Sequence, residues 1–331
     1  MKAAIVRQPG PADSIEFCDI PTPEPVGTQV LVRTGAVSVN PVDTYVRAGA
    51  MPWELPSPFV VGCDIAGTVE AVGDEVARLR PGDRVWGSNQ GLLGRQGTFA
   101  EFACIDEDWL YPTPANVDDE VAAAAALVGI TAHLGLVGRA GLTSGETLFV
   151  VGGTGGVGSI VVQMAVALGA RVACCCGSEE KCEQARALGA ELAINYHEAP
   201  LGESIKWFAP GGVDVFWETR RQPDFDLVAD ALAPRGRMIL MAGREARPEF
   251  PVGPFYFKQL NLYGLVMFNC EAYEQRACAG ALNDWLSSGD IRPLVGRQLP
   301  LSATAEAHSL QEAATVRCEG GLTGKIVLRP D

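Results

Sequence analysis

Thr147-Leu148-Phe149-Val150-Val151-Gly152-Gly153-Thr154-Gly155-Gly156-Val157-Gly158 decides the fold. Five residues of strand length run straight into a glycine-rich turn. Beyond it Val157, Ile160, Val161, Met164, Ala165 and Leu168 recur at helical spacing until Gly169 stops them. Pyrophosphate binding needs strand, turn and helix in this order. Glycines let the phosphates approach backbone N–H groups, and the helix N-terminus adds partial positive charge. A dinucleotide is therefore expected at Gly153, Thr154, Gly155, Gly156, Val157 and Gly158.

Downstream, strand and helix patterns keep alternating. Residues 171–176 read as a second buried strand, 181–188 as a helix ended by Gly189, and 192–194 as a third strand. Residues 213–217 and 237–241 read as further strands, with 225–232 helical between them. Such alternation means a parallel sheet covered by helices. The end of the second strand chooses between nicotinamide dinucleotides, because an acid there would hold a ribose 2′-hydroxyl. This chain has Cys174-Cys175-Cys176-Gly177-Ser178 instead, with Lys181 and Tyr196 close in sequence. A small residue, a hydroxyl, a cation and a phenol suit a 2′-phosphate, so NADPH is the expected cofactor. Glu179 and Glu180 read as acids in the first turn of the next helix.

Upstream, the first 120 residues are rich in β-branched residues, glycine and proline. Val30-Leu31-Val32-Arg33, residues 67–72 and Arg84-Val85-Trp86 read as short strands closed by turns such as Pro81-Gly82-Asp83. The texture changes at Asp118-Asp119-Glu120, which opens an Ala-rich helix over 121–127. A chain of 331 residues is long for a single core, so two domains are expected. The net charge of −14 repels nucleic acid and anionic membrane and leaves anion binding to local arrangements. No apolar run of the roughly 18–20 residues that span a bilayer is evident. The start, Met1-Lys2-Ala3-Ala4-Ile5-Val6-Arg7, reads as a first strand. Ten cysteines with no CxxC pair read as reduced thiols, small buried hydrophobes for the most part, in a cytoplasmic protein.

Several segments resemble the zinc-free medium-chain reductases of the quinone oxidoreductase and ζ-crystallin group. They are Val39-Asn40-Pro41-Val42-Asp43-Thr44-Tyr45-Val46-Arg47-Ala48-Gly49, residues 62–73 from Gly62-Cys63-Asp64, and Pro81-Gly82-Asp83-Arg84-Val85. The glycine loop, Leu188-Gly189-Ala190, Ile194-Asn195-Tyr196 and the ending Gly324-Lys325-Ile326-Val327-Leu328 extend the likeness over nearly the whole chain. The resemblance implies an α/β protein: a GroES-like β domain over 1–120 and 265–331, and a doubly wound parallel-sheet (Rossmann) domain over 121–264. It also implies that Asn40 and Tyr45 line the nicotinamide cleft, that Thr131 stands beside the nicotinamide, and that Asp64 is a third catalytic candidate.

Zinc alcohol dehydrogenases share the wider superfamily, but they need a Cys where this chain has Val39-Asn40-Pro41 and a His-Glu pair where it has Cys63-Asp64. No metal is expected, since catalytic zinc wants three ligands. Reduction then rests on hydrogen bonds aimed at the substrate oxygen. His133, where the family commonly has an aromatic residue, reads as a packed or surface histidine. Three functions stay open: reduction of a quinone or similar enone, reduction of an enoyl-thioester or alkenal, and NADPH binding without turnover. Arg220, Arg221, Arg244 and Arg247 are the candidate cations for a CoA substrate. Residues 260–268 are apolar enough for a buried strand. The resemblance makes them a sheet edge that pairs with its twin, so a homodimer is expected.

Overall fold

The computed structural model describes residues 1–319 and 321–331. The chain divides into two compact units. The first is Met1–Ile130, Phe268–Gly289 and Pro293–Asp331; the second is Thr131–Met267 with Asp290–Arg292.

The first unit is mostly β. Its early strands are β1 (Lys2–Val6), β2 (Glu16–Asp19), β3 (Gln29–Val39), β4 (Phe59–Val60), β5 (Ile65–Val72), β6 (Arg84–Gly87), β7 (Phe102–Asp106) and β8 (Leu110–Pro112). The helix α1 (Pro41–Arg47) follows β3 directly, with Pro41 at the first helical position, where a missing N–H costs nothing. The strand β3 is long because Val30, Val32, Val37 and Val39 are all buried and because three neighbours satisfy its backbone. It pairs with β5, with β7 and with the last strand of the chain.

The second unit carries a six-stranded, wholly parallel sheet. The helix α2 (Asp119–His133) leads from the first unit into it. Then come β9 (Thr147–Val151), α3 (Gly156–Ala167), β10 (Arg171–Cys176), α4 (Glu179–Ala187), β11 (Leu192–Asn195), α5 (Leu201–Phe208), β12 (Val213–Glu218), α6 (Phe225–Ala231), β13 (Leu232–Leu240), α7 (Val252–Phe257) and β14 (Asn261–Gly264). The strand order is β11-β10-β9-β12-β13-β14, so the order reverses between β9 and β12. Ligands of open parallel sheets bind at such a switch point, beyond the strand C-termini. The chain then returns to the first unit with α8 (Ala272–Ser288), β15 (Val295–Pro300), α9 (Thr304–Thr315) and β16 (Lys325–Arg329), adding β15 and β16 to the sheet beside β3.

Three expectations are corrected. The Ala-rich helix does not stop at 127: it continues as a π-helical stretch, Leu134–Arg139, because Val128, Ile130, Ala132, Leu134 and Leu136 all find buried neighbours. The resulting helix, Asp119–Arg139, is long and apolar enough to cross a bilayer, contrary to the sequence reading, but 72% of its most apolar window is buried inside the protein. It is a core helix, and the two compact units divide within it, at Ile130/Thr131. Residues 260–268 form only the four-residue edge strand β14, in which Asn261, Leu262 and Gly264 are exposed rather than buried.

Candidate functional site

The glycine loop is built by packing. Gly152 and Gly153 both donate their N–H groups to Cys175 O, at 3.1 Å, which turns the chain sharply off the end of β9. The helix α3 then starts at Gly156, with Gly155 as its extended N-cap. A Cβ at Gly158 would lie 2.0 Å from Gly152 O, so only glycine lets the first turn of α3 sit against the loop. The outcome is a hollow of backbone N–H groups at a helix N-terminus, with Thr154 buried beside it. No charged side chain is needed.

The rim follows from strand register. Cys176 of β10 pairs with Asn195 of β11, and Tyr196 N–H donates to Cys176 O at 3.2 Å. Gly177 and Tyr196 therefore leave the sheet side by side. A Cβ at Gly177 would lie 2.6 Å from Tyr196 Oη, so the phenol closes over a glycine that makes room for it. The Tyr196 ring is about half exposed and rests against His197, with centroids 4.5 Å apart. Ser178 caps α4, its hydroxyl accepting from Lys181 N–H at 3.3 Å. Gly177, Ser178, Lys181 and Tyr196 thus come together at one strand end. Glu179, the nearest acid, is turned into an ion pair with Arg186 at 2.7 Å. A hollow that a Cβ would fill, a capping hydroxyl and a phenol, on a helix that also carries Lys181, fit a phosphorylated dinucleotide.

In the first unit, the turn that joins β3 to α1 covers a buried polar cluster. Asp64 Oδ1 accepts from Ser88 Oγ at 2.7 Å and from Leu127 N–H at 3.2 Å. Its Oδ2 accepts from Ser38 Oγ at 2.8 Å and from Asn40 Nδ2 at 2.7 Å, and Lys325 Nζ stands 3.6 Å away. Asn40 Oδ1 accepts from Lys325 Nζ, while its backbone N–H donates to Asp43 Oδ2 at 2.7 Å. Both Asn40 and Asp64 are wholly buried with their side chains saturated. Their printed partners all lie within the protein, and together they tie the turn to β5, β6, α2 and β16. Tyr45, in the next turn of α1, remains partly exposed. Sequence reasoning quoted Lys325 only as part of a motif and passed over Ser38 and Ser88. The one available signal was a lysine heading an apolar strand.

Known proteins match this architecture closely. An "Alcohol dehydrogenase GroES-like domain" profile fits residues 27–115 and a "Zinc-binding dehydrogenase" profile residues 156–283. The human protein "Quinone oxidoreductase" is 31% identical over 94% of this chain and 92% of its own length. The chain belongs to the medium-chain dehydrogenase/reductase family, in its quinone oxidoreductase group. An Arabidopsis thaliana "NADPH-dependent alkenal/one oxidoreductase, chloroplastic" is also 31% identical, over 100% of this chain and 80% of that one. Among solved structures, an "NAD-dependent alcohol dehydrogenase" superposes with a TM-score of 0.90 at 30% identity, covering 100% of both chains. A mycobacterial protein complexed with NADPH gives 0.86 at 30% identity, again over 100% of both.

As a member of this group the protein is an oxidoreductase. Among its described residues, no three of His, Cys, Asp and Glu are arranged to hold a metal ion. His133 ends α2, half-buried, and burial lowers its pKa. His308 is fully buried against Phe99, its pKa lowered to about 3 by burial and then by the neighbouring Arg47. Thr131 is buried in α2. Of the candidate rim cations, Arg220 is clamped by the buried Glu218, with bonds of 2.6 and 3.0 Å, and Arg244 pairs with Glu245 at 2.6 Å. A cavity of about 270 Å³ lies in the first unit beside Val46, Gly49, Met51 and Trp53, and none of the expected site residues lines it.

Proposed function

We propose that this oxidoreductase reduces a quinone or similar conjugated carbonyl at the expense of NADPH, without zinc. The observation that carries the reading is the end of β10, where Gly177 and Tyr196 leave the sheet side by side and Ser178 caps the helix that carries Lys181. NADPH is the cofactor. The loop from Gly153 to Gly158 would hold its pyrophosphate through backbone N–H groups, and the β10 rim its 2′-phosphate. When bound, the nicotinamide supplies a hydride equivalent to an electron-poor carbon or quinone ring.

What remains for the chain is to stabilise the oxygen that gains charge. Tyr45 is the residue for this task, a partly exposed phenol on a helix whose start is held by buried polar bonds. Thr131 stands as a second contact for the nicotinamide. Zinc independence is supported by the absence of a three-ligand group among the described residues and is tested by a chelator, which should leave the rate intact. One zinc per chain by elemental analysis would refute it. We assign the protein to the cytoplasm as a homodimer. The open edge of β14, with Leu262 exposed, supports the pairing.

Reduction of an activated C=C bond is the second reading, favoured by the full-length likeness to the alkenal/one oxidoreductase. Within it an alkenal fits better than a CoA thioester, because Arg220 and Arg244 already have carboxylate partners. The deciding experiment follows NADPH oxidation with a panel of quinones, alkenals and enoyl-CoAs. Turnover of quinones at the highest kcat/KM supports the first reading and of alkenals the second. No turnover with any of them leaves NADPH binding without catalysis.

A further inference from the structure

Lys325 heads an otherwise apolar strand, and nothing in the reaction described above uses it. The strand β16 runs antiparallel to β3 in the register Ile326↔Val39, Val327↔Ser38, Leu328↔Val37. One step further on, Lys325 falls opposite Asn40. Gly324 permits the approach: its φ is +66°, and a Cβ there would lie 2.1 Å from Leu294 O. Lys325, so delivered, is 3% exposed. An ion taken out of water costs several kcal/mol unless anions and acceptors face it. Here Asn40 Oδ1 accepts from it and the Asp64 carboxylate stands 3.6 Å away.

These contacts fix more than a charge. Asn40 is the residue before α1, so Lys325 and Asp64 grip the helix at its start. At its far end Arg47, also buried, pairs with Glu312 of α9. Tyr45 stands between the two anchors. We propose that Lys325 is a positioning residue for reduction, holding the Asn40 turn and α1 where Tyr45 meets the substrate oxygen. The proposal rests on the reading of Tyr45 as the donor.

Charge balance supports it. Lys325 faces two buried carboxylates, Asp43 from α1 and Asp64 from the loop before β5, together with the Cys63 thiol. Arg95, in the loop after β6, faces Cys63 in turn. Burial pushes Asp43 up to about 7, against a hydrogen bond from the Cys63 thiol, while Asp64 raises it and Lys325 lowers it. Burial lowers Lys325 itself, opposed by Asp64 and then Asp43. Below about pH 7 Asp43 is protonated and does not compete for Lys325. Above that range a second carboxylate competes with Asn40 for Lys325, and kcat should decline.

The test uses the full-length enzyme with NADPH and two variants, Lys325→Met and Lys325→Arg. Lys325→Met should lower kcat roughly 10- to 100-fold, the scale set by an ångström of misplacement, with KM and NADPH affinity nearly unchanged. Lys325→Arg, which keeps the ion pair, should recover most of that loss. The Asp43 carboxyl band, followed by infrared difference spectroscopy, should titrate at higher pH in Lys325→Met and return in Lys325→Arg. An unchanged kcat in folded Lys325→Met, no rescue by arginine, or an unmoved Asp43 titration each overturns the proposal. If Lys325→Met does not fold, Asp43→Asn decides, because it removes the competing charge without changing shape. Its kcat should not decline above pH 7 where the native enzyme's does, and superimposed profiles overturn the proposal. Tyr45→Phe separates the two readings. A silent Tyr45→Phe beside a slow Lys325→Met removes Tyr45 and keeps the positioning role. A slow Tyr45→Phe beside a silent Lys325→Met does the reverse.

Discussion

The glycine loop and the Asn40 turn meet opposite electrostatic demands. The loop must receive a highly charged ligand, yet it presents only backbone: Gly152, Gly153, Gly155 and Gly158 shape a hollow of N–H dipoles in which Thr154 is the one polar side chain. Beneath the turn, by contrast, lie Asp43, Asp64 and Lys325, all buried. Dipoles fixed by secondary structure need no reorganisation and leave no net charge when the ligand departs. Buried ions need one another permanently, and removing one strands its partner. The loop should therefore tolerate changes at its rim with local effects, whereas the turn should fail as a unit.

The largest effect expected from this contrast is at Asp64. Asp64→Asn leaves Lys325 buried without its anion, and breaking such a pair costs about 3 to 5 kcal/mol. Urea denaturation should show that loss as a lower midpoint with an unchanged slope. A cost under about 1 kcal/mol would show that Asp43 can replace Asp64 and that the cluster is not a unit.

Tyr45→Phe comes next. It keeps the ring, so stability and NADPH affinity should survive, while the loss of one donor to a developing charge lowers kcat roughly 10- to 1,000-fold with KM little altered. Both an alkenal and a quinone should be assayed, because a quinone that accepts hydride readily needs less help. An unchanged kcat with both would reduce α1 to scaffolding.

Lys181→Ala should have the smallest effect of the three and one confined to binding. Loss of a charged hydrogen bond to a 2′-phosphate weakens NADPH by about 1.5 to 3 kcal/mol, while NADH binding and thermal stability stay within error. Fluorescence titration with both cofactors measures this. Equal losses for the two would move the 2′-phosphate away from the β10 rim. A drop in melting temperature would erase the contrast between rim and turn.

The sequence by itself determined the nucleotide unit from β9 to β11 almost residue by residue, though further on it missed α5 and α7 and started β13 five residues late. Strand, turn and helix are local there: β9 and β10 run over the expected residues, and α3 and α4 lie within two residues of the reading. The register Cys176↔Asn195 follows from short connections and brings Gly177 and Tyr196 together, as their positions after two successive strands imply. Tertiary structure decided what depends on distant partners. The strand β3 is eleven residues long because β5, β7 and β16 complete its backbone bonds, and no local pattern signals that. The helix α2 outruns its Ala-rich core for the same reason, burial by elements far away in sequence. Asn40 and Asp64 carried the right polarity for a site, but that they bond to one another and to Lys325 depends on where residue 325 lands. That was settled by a strand pairing across 285 residues, which a glycine at 324 allows and packing enforces.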